Sequence, residues 1–143
     1  MIIQFPAGFM LLILFVLVWM LYPSVEGFVF SKDPLLGELQ QQLSVIHPRF
    51  QNMKLYEGSK SYTLNKKHVY ICLKDEHGRY YNRNMLVYVI LHEYAHVLCP
   101  KIDEKEHSKE FFQIFDELLM KATQIGLYNP SIPPLKKYCG VVG

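Results

Sequence analysis

One five-residue stretch, His92-Glu93-Tyr94-Ala95-His96, has the residue types and spacing of a metal-dependent hydrolase. Histidines four apart on a helix project from one face, one turn apart. Two neutral imidazoles so placed can bind one Zn²⁺ at about 2.0–2.1 Å. Glu93, beside the first of them, is the type of group that takes a proton from a metal-bound water and passes it to a leaving amine. Zinc itself lowers the pKa of that water towards about 7 and polarises a scissile carbonyl. Burying three ionisable side chains in an apolar helix is costly unless something pairs them, and a metal does so.

A catalytic zinc takes a third protein ligand and keeps an open position for water. His107 is the first choice: it follows His96 after ten intervening residues and opens the stretch Glu106-His107-Ser108-Lys109-Glu110-Phe111. Asp103, Glu104, Glu106 and Glu110 are the carboxylate alternatives, although Glu106 and Glu110 also suit a solvated helix N-terminus. Around these residues, Tyr94, Ala95 and Tyr88 read as packing and Cys99 as a buried thiol. His47, His68 and His77 read as solvated. Tyr138 is an outside candidate for stabilising an oxyanion if the tail folds back.

The elements that must position this chemistry follow from pattern. Asp33 caps and Pro34 opens a helix whose apolar stripe is Leu35, Leu36, Leu39, Leu43 and Ile46, and Pro48 stops it. Met53 to Tyr56 and Tyr62 to Leu64 read as short strands around the turn Glu57-Gly58-Ser59. Val69 to Leu73 is the strongest strand, β-branched and aromatic. After the turn Asp75-Glu76-His77-Gly78, Asn82 or Asn84 caps a helix running through Met85 to Leu91 into the His-Glu motif. That helix is apolar on nearly all sides and is therefore the central core helix, ended by Pro100. A polar loop, 101–106, leads to a last helix presenting Phe111, Phe112, Ile114, Phe115, Leu118, Leu119, Ala122 and Ile125, with Gly126 as its C-cap. The tail from Ser131 to Pro134 reads as extended.

His-Glu-x-x-His, a polar loop, then His-x-x-Glu-Phe opening a helix resembles the SprT-like and WLM families of minimal zinc metallopeptidases, which include Spartan. The matching residues are His92, Glu93 and His96, then His107, Glu110 and Phe111. The resemblance covers roughly Tyr62 to Gly126. It implies His107 as third ligand, Glu93 as catalytic acid/base, and an edge strand that pairs with an extended substrate, for which Val69 to Leu73 is the candidate. It does not extend to action on DNA-crosslinked proteins, because this sequence has no basic stripe and no matching nucleic-acid-binding extension. A net charge of +2, nearly balanced over the charged part of the chain, agrees with no nucleic-acid partner.

Before Glu26 there is no charge, and the run from Phe9 to Tyr22 is apolar, continuous with Met1 to Phe5. Such a run is long enough to cross a bilayer, with Trp19 and Tyr22 at its interfacial end. The organisation expected is a transmembrane anchor over 1–24, a linker over 25–30 and a metallopeptidase domain over 31–143, with the bilayer contacting residues 5–22. The alternative for the anchor is a cleaved signal peptide. The positive-inside rule puts the catalytic domain of such a single-pass protein on the cytoplasmic side. Cys72, Cys99 and Cys139 are widely spaced; their odd number fits a reducing compartment, or else one bridge and a spare thiol.

Together these readings give an α+β, zincin-like domain, a small mixed sheet with an active-site helix and packing helices, behind an N-terminal transmembrane helix. The expected activity is that of a membrane-anchored zinc-dependent endopeptidase acting on a protein or peptide substrate. The competing readings are a non-catalytic zinc-stabilised interaction module at a membrane and a secreted peptidase.

Overall fold

The computed structural model describes residues 33–100 and 107–142, together with Val16. The chain divides into Met1–Ser31 and Lys32–Gly143, and the described architecture belongs to the second unit. It is α+β. Helix α1 spans Pro34–Leu43, and a 3-10 turn follows at Pro48–Asn52. Strands β1 (Lys54–Glu57), β2 (Tyr62–Leu64) and β3 (His68–Ile71) come next, then helices α2 (Arg83–Leu98) and α3 (Lys109–Gln124). A hairpin of β4 (Lys137–Tyr138) and β5 (Val141–Val142) lies near the C-terminus.

Each helix begins on a side-chain cap that satisfies an otherwise orphaned amide. Asp33 accepts from the Leu35 N–H at 2.9 Å, Asn82 from Met85 at 2.8 Å, and Ser108 from Phe111 at 3.1 Å. The caps decide where α2 starts, and hence which turn carries the histidines. Helix α1 braces that start. The Tyr80 hydroxyl donates to Asp33 at 2.6 Å, and Arg83 donates to Glu38 at 3.0 Å and to Gln42.

The three-stranded sheet is mixed, in the order β1-β3-β2. β1 runs parallel to β3 and β2 antiparallel to it, with Thr63 opposite Val69 and Tyr62 opposite Tyr70. Strand alternation sends Leu55, Val69 and Ile71 into the core, while Tyr62, Tyr70 and Tyr56 stack across the other face. The link from β1 to β2 passes tightly over β3 at Gly58. A Cβ there would lie 3.0 Å from the Lys60 carbonyl and 3.2 Å from the Tyr70 Cβ, so only glycine fits without displacement.

Helix α2 is the centre of the core, burying Met85, Leu86, Val87, Val89, Ile90, Leu91, Tyr94, Ala95 and Val97. Helix α3 packs on it through Phe111, Phe115, Leu118 and Ala122. The broad apolar face expected of α3 is narrower than its sequence suggests, because Phe112 and Ile125 are exposed.

Three expectations need correction. Among the described residues no helix is long and apolar enough to cross a membrane, so the N-terminal transmembrane helix and the single-pass membrane location are not supported. The longest described helices have sixteen residues, roughly 24 Å of rise against a hydrocarbon layer of about 30 Å, and α2 carries His92, Glu93 and His96 besides. The segment 1–24 on which that expectation rested, and the bilayer contact over 5–22, lie outside the described residues, Val16 apart. Second, Val69 to Leu73 does not form an edge strand: β3 lies between β1 and β2, and β2 is the edge beside α2. Third, Cys72 and Cys139 form a disulfide, leaving Cys99 buried and free. One bridge and a spare thiol is the alternative that the odd cysteine count left open, and it takes the place of the three free thiols expected of a reducing compartment.

Candidate metal centre

The burial that makes α2 a core helix also fixes its polar turn. His92 and His96 lie one turn apart, with ring centroids 5.0 Å from each other. His107, just before α3, reaches the same point, its ring 4.7 Å from that of His92 and 5.1 Å from that of His96. One nitrogen from each of the three rings falls within a cluster no wider than 4.8 Å. It is the one such group of His, Cys, Asp and Glu ligand atoms among the described residues, and no carboxylate joins it. Asp103, Glu104 and Glu106 lie outside the described residues, and Glu110 is not part of the cluster.

The spacing tests whether a tetrahedral metal fits. Two nitrogens bound to zinc at about 2.05 Å, on adjacent corners of a tetrahedron, stand about 3.3 Å apart. The Nε2 atoms of His92 and His107 are 3.2 Å apart. Phe111 walls the group, its ring 5.1 Å from His92, 4.4 Å from His96 and 4.6 Å from His107, and Phe115 adds a second apolar surface against His92. That enclosure lowers the pKa of His92 to about 4, chiefly by burial and secondarily through His96 and His107. His92 is therefore neutral near pH 7 and its lone pair is available, as a metal ligand requires.

Glu93 is 7% exposed, the only buried charged side chain among the described residues. Burial raises its pKa to about 7, and a hydrogen bond from Thr63 opposes that rise. The Thr63 hydroxyl, on β2, stands 2.8 Å from Glu93 Oε2, with the Glu93 carbonyl 3.3 Å away as its other acceptor. Farther along the hairpin, Lys66 donates to the Cys99 carbonyl at 2.8 Å, closing the C-terminal end of α2. β2 thus lies beside the histidine-bearing part of α2, which is tied to the hairpin at Thr63 and at Lys66.

Thr63 is the functional candidate that sequence reading missed. In Tyr62-Thr63-Leu64 hydrophobic alternation would turn Thr63 outwards. The structure does the reverse: Tyr62 and Leu64 are exposed and Thr63 faces the helix. No local sequence signal could have found it, because the alternation points the other way and the pairing with Glu93 is set by the packed fold.

The other singled-out residues have ordinary placements. Tyr94 and Ala95 are fully buried, and the Tyr94 ring packs tilted against that of Phe50, centroids 4.0 Å apart. Tyr88 is half-buried, edge-on to Phe115. Cys99 does not join the metal group. His47 caps the 3-10 turn by accepting from Arg49, His68 meets the Tyr56 hydroxyl at 3.3 Å, and His77 stays exposed. Tyr138 does fold back. Its hydroxyl donates to the Cys72 carbonyl and stands 2.9 Å from Ser61 Oγ, and its pKa is pushed up to about 12, mainly by burial, with the Glu93 charge among the lesser causes.

No family model and no solved structure matches this chain. Uncharacterized protein 042R of Invertebrate iridescent virus 3 is 38% identical over 130 residues, covering 87% of this chain and 77% of that protein. The chain belongs to the family of protein 042R. A second relative, uncharacterized protein 136R of Invertebrate iridescent virus 6, is 45% identical over 102 residues, or 68% of this chain. The chain spans 56% of the length of 136R.

Proposed function

We propose that this member of the 042R family is a zinc-dependent metalloendopeptidase. The observation that carries the reading is the convergence of three histidine nitrogens within 4.8 Å beside a buried glutamate. His92, His96 and His107 would hold the metal. Three protein ligands leave a tetrahedral ion one position short, which is the pattern of catalytic rather than structural zinc. The ion, when bound, supplies acidification of water and polarisation of a carbonyl.

The protein's own groups do the rest. Glu93, with a pKa near neutrality, takes up and returns a proton close to working pH. Thr63 fixes which way its carboxylate points. Phe111 and Phe115 keep water from the ligand side of His92. The free edge of β2, a three-residue strand beside Glu93, offers backbone groups to an extended peptide, which would set the scissile bond near the glutamate. The spacing that resembles SprT-like and WLM peptidases supports the same chemistry.

The test is metal analysis of the purified protein together with a Glu93→Gln variant assayed on an unfolded protein substrate. The expected result is about one zinc per chain in both forms and loss of hydrolysis in the variant by about 10²–10⁴-fold. Protein that takes up no zinc, or a Glu93→Gln variant as active as wild type, overturns the reading.

A further inference from the structure

The C-terminal hairpin is cross-linked to the residue that follows β3 by one disulfide, Cys72–Cys139. β4 and β5 have two residues each, too short to hold themselves, and Cys139 and Gly140 between them both take positive φ, the tight turn that joins such strands. What seats the hairpin is its contact with the main body. Cys139 is bonded to Cys72, its N–H donates to the Tyr81 hydroxyl at 2.8 Å, and the Tyr138 ring rests 4.7 Å from that of Tyr81.

Seated there, Tyr138 closes a small ring of hydrogen bonds. Its hydroxyl donates to the Cys72 carbonyl, Ser61 meets it at 2.9 Å, and the Cys72 N–H donates back to Ser61 Oγ at 3.0 Å. Ser61 immediately precedes β2 and lies two residues from Thr63, whose hydroxyl holds Glu93. A continuous path of bonds therefore runs from the disulfide through Tyr138 and Ser61 to the strand that aims the glutamate. Cys72 and Cys139 also line a surface cavity of about 590 Å³ with Gly58, Lys74 and Tyr81, so a reductant has a route to the bridge.

We infer that the Cys72–Cys139 disulfide is a redox-sensitive clamp, and Tyr138 a positioning residue, that together hold β2 and so set the alignment of Glu93. The inference rests on the peptidase reading only for its effect on hydrolysis; the effect on β2 is independent of it. The switching step is thiol–disulfide exchange with a dithiol. The S–S bond takes up two electrons and two protons to give two thiols, and the dithiol closes to its own disulfide. The oxidised chain is the aligned, active form.

The test uses the full chain and a phosphine reductant, because dithiols bind zinc. The phosphine takes oxygen from water as the bridge becomes two thiols, so the accessible thiol count under denaturing conditions should rise from one to three. Hydrogen exchange at the amides of 61–64 should accelerate at least about tenfold, and kcat should fall about tenfold with zinc content unchanged. Tyr138→Phe keeps the bridge and removes both hydroxyl contacts. Counted per folded, zinc-loaded chain, it should lower kcat about tenfold with KM held within about twofold; that normalisation removes the loss of folded molecules that general destabilisation would give. Unchanged exchange at 61–64 after full reduction overturns the clamp. Loosened exchange with equal kcat in both redox states overturns the link to Glu93. Loosened exchange in a zinc-loaded protein that hydrolyses nothing in either state supports the clamp and sinks the peptidase reading instead.

Discussion

Helices α2 and α3 have sixteen residues each and supply or flank all three histidines, yet they are built on opposite plans. α2 is apolar on nearly all sides apart from its histidine-and-glutamate turn, and ten of its residues are buried, Glu93 among them. α3 buries four and leaves Phe112 about half exposed. The ligands inherit the difference. His92 and His96 stand, half-buried, on a rod held by the core along most of its circumference, whereas His107 is exposed and precedes the first turn of an amphipathic helix. The site thus joins a rigid half to an adaptable one. Under the proposed peptidase reading, rigidity on the Glu93 side is where it matters, since a proton-carrying group tolerates little misplacement.

The sharpest way to break this comparison is to remove ligands one at a time. His96→Ala should cost at least about tenfold more zinc affinity than His107→Ala, because a preorganised ligand loses less freedom on binding. Equal losses, read by competition with a chromogenic chelator, would show that burial of the helix does not matter to the metal. Next in size is packing. Leu91→Ala, at a fully buried position of α2, should lower unfolding free energy by about 2–5 kcal/mol, while Phe112→Ala on α3 should change it by about 0.5 kcal/mol or less. Chemical denaturation of the metal-free protein checks both.

A smaller effect concerns pH. In the metal-free protein His92 has its pKa lowered from 6.5 to about 4, so its contribution to stability is present above 6.5 and is lost as pH falls towards 4. Glu93 is raised from 4.5 to about 7, so its contribution is present below 4.5 and is lost as pH rises through 7. Between about 4.5 and 6.5 the two oppose each other, and metal-free wild type should be nearly flat in stability. Glu93→Gln removes one side. Its stability should then climb with pH from 4 to 6.5, by up to about 3 kcal/mol. A flat profile for the variant would mean that His92 is not desolvated by its helix.

What could be read from the sequence, and what could not, divides by distance along the chain. The caps at Asp33 and Asn82, the stripe of Leu36, Leu39 and Leu43, and the spacing of His92 and His96 are local patterns of a few residues. They specify helices and the face on which ligands stand. Strand order does not follow from such patterns. Nothing near Val69 says that β1 will pair on one side and β2 on the other, so its place at the centre of the sheet was not legible. Thr63 meets Glu93 across 30 residues, and Cys72 meets Cys139 across 67; those pairings are decided by the packed fold. The tail is the extreme case. Tyr138 could be suspected by type, but its partners Ser61 and Cys72 lie 77 and 66 residues away.

Tyr94 fills one of the two variable positions of the His-Glu motif and is completely buried, yet its hydroxyl has no hydrogen-bond partner among the described residues. An unpaired buried hydroxyl costs about 1–3 kcal/mol, so the middle of this core is not optimised for endurance. Tyr94→Phe should raise the melting temperature by a few degrees without touching the metal ligands, observable by calorimetry. That makes the first variable position of the motif a handle for the engineer: a place where the scaffold can be hardened to tolerate the damaging substitutions that dissecting its chemistry will require.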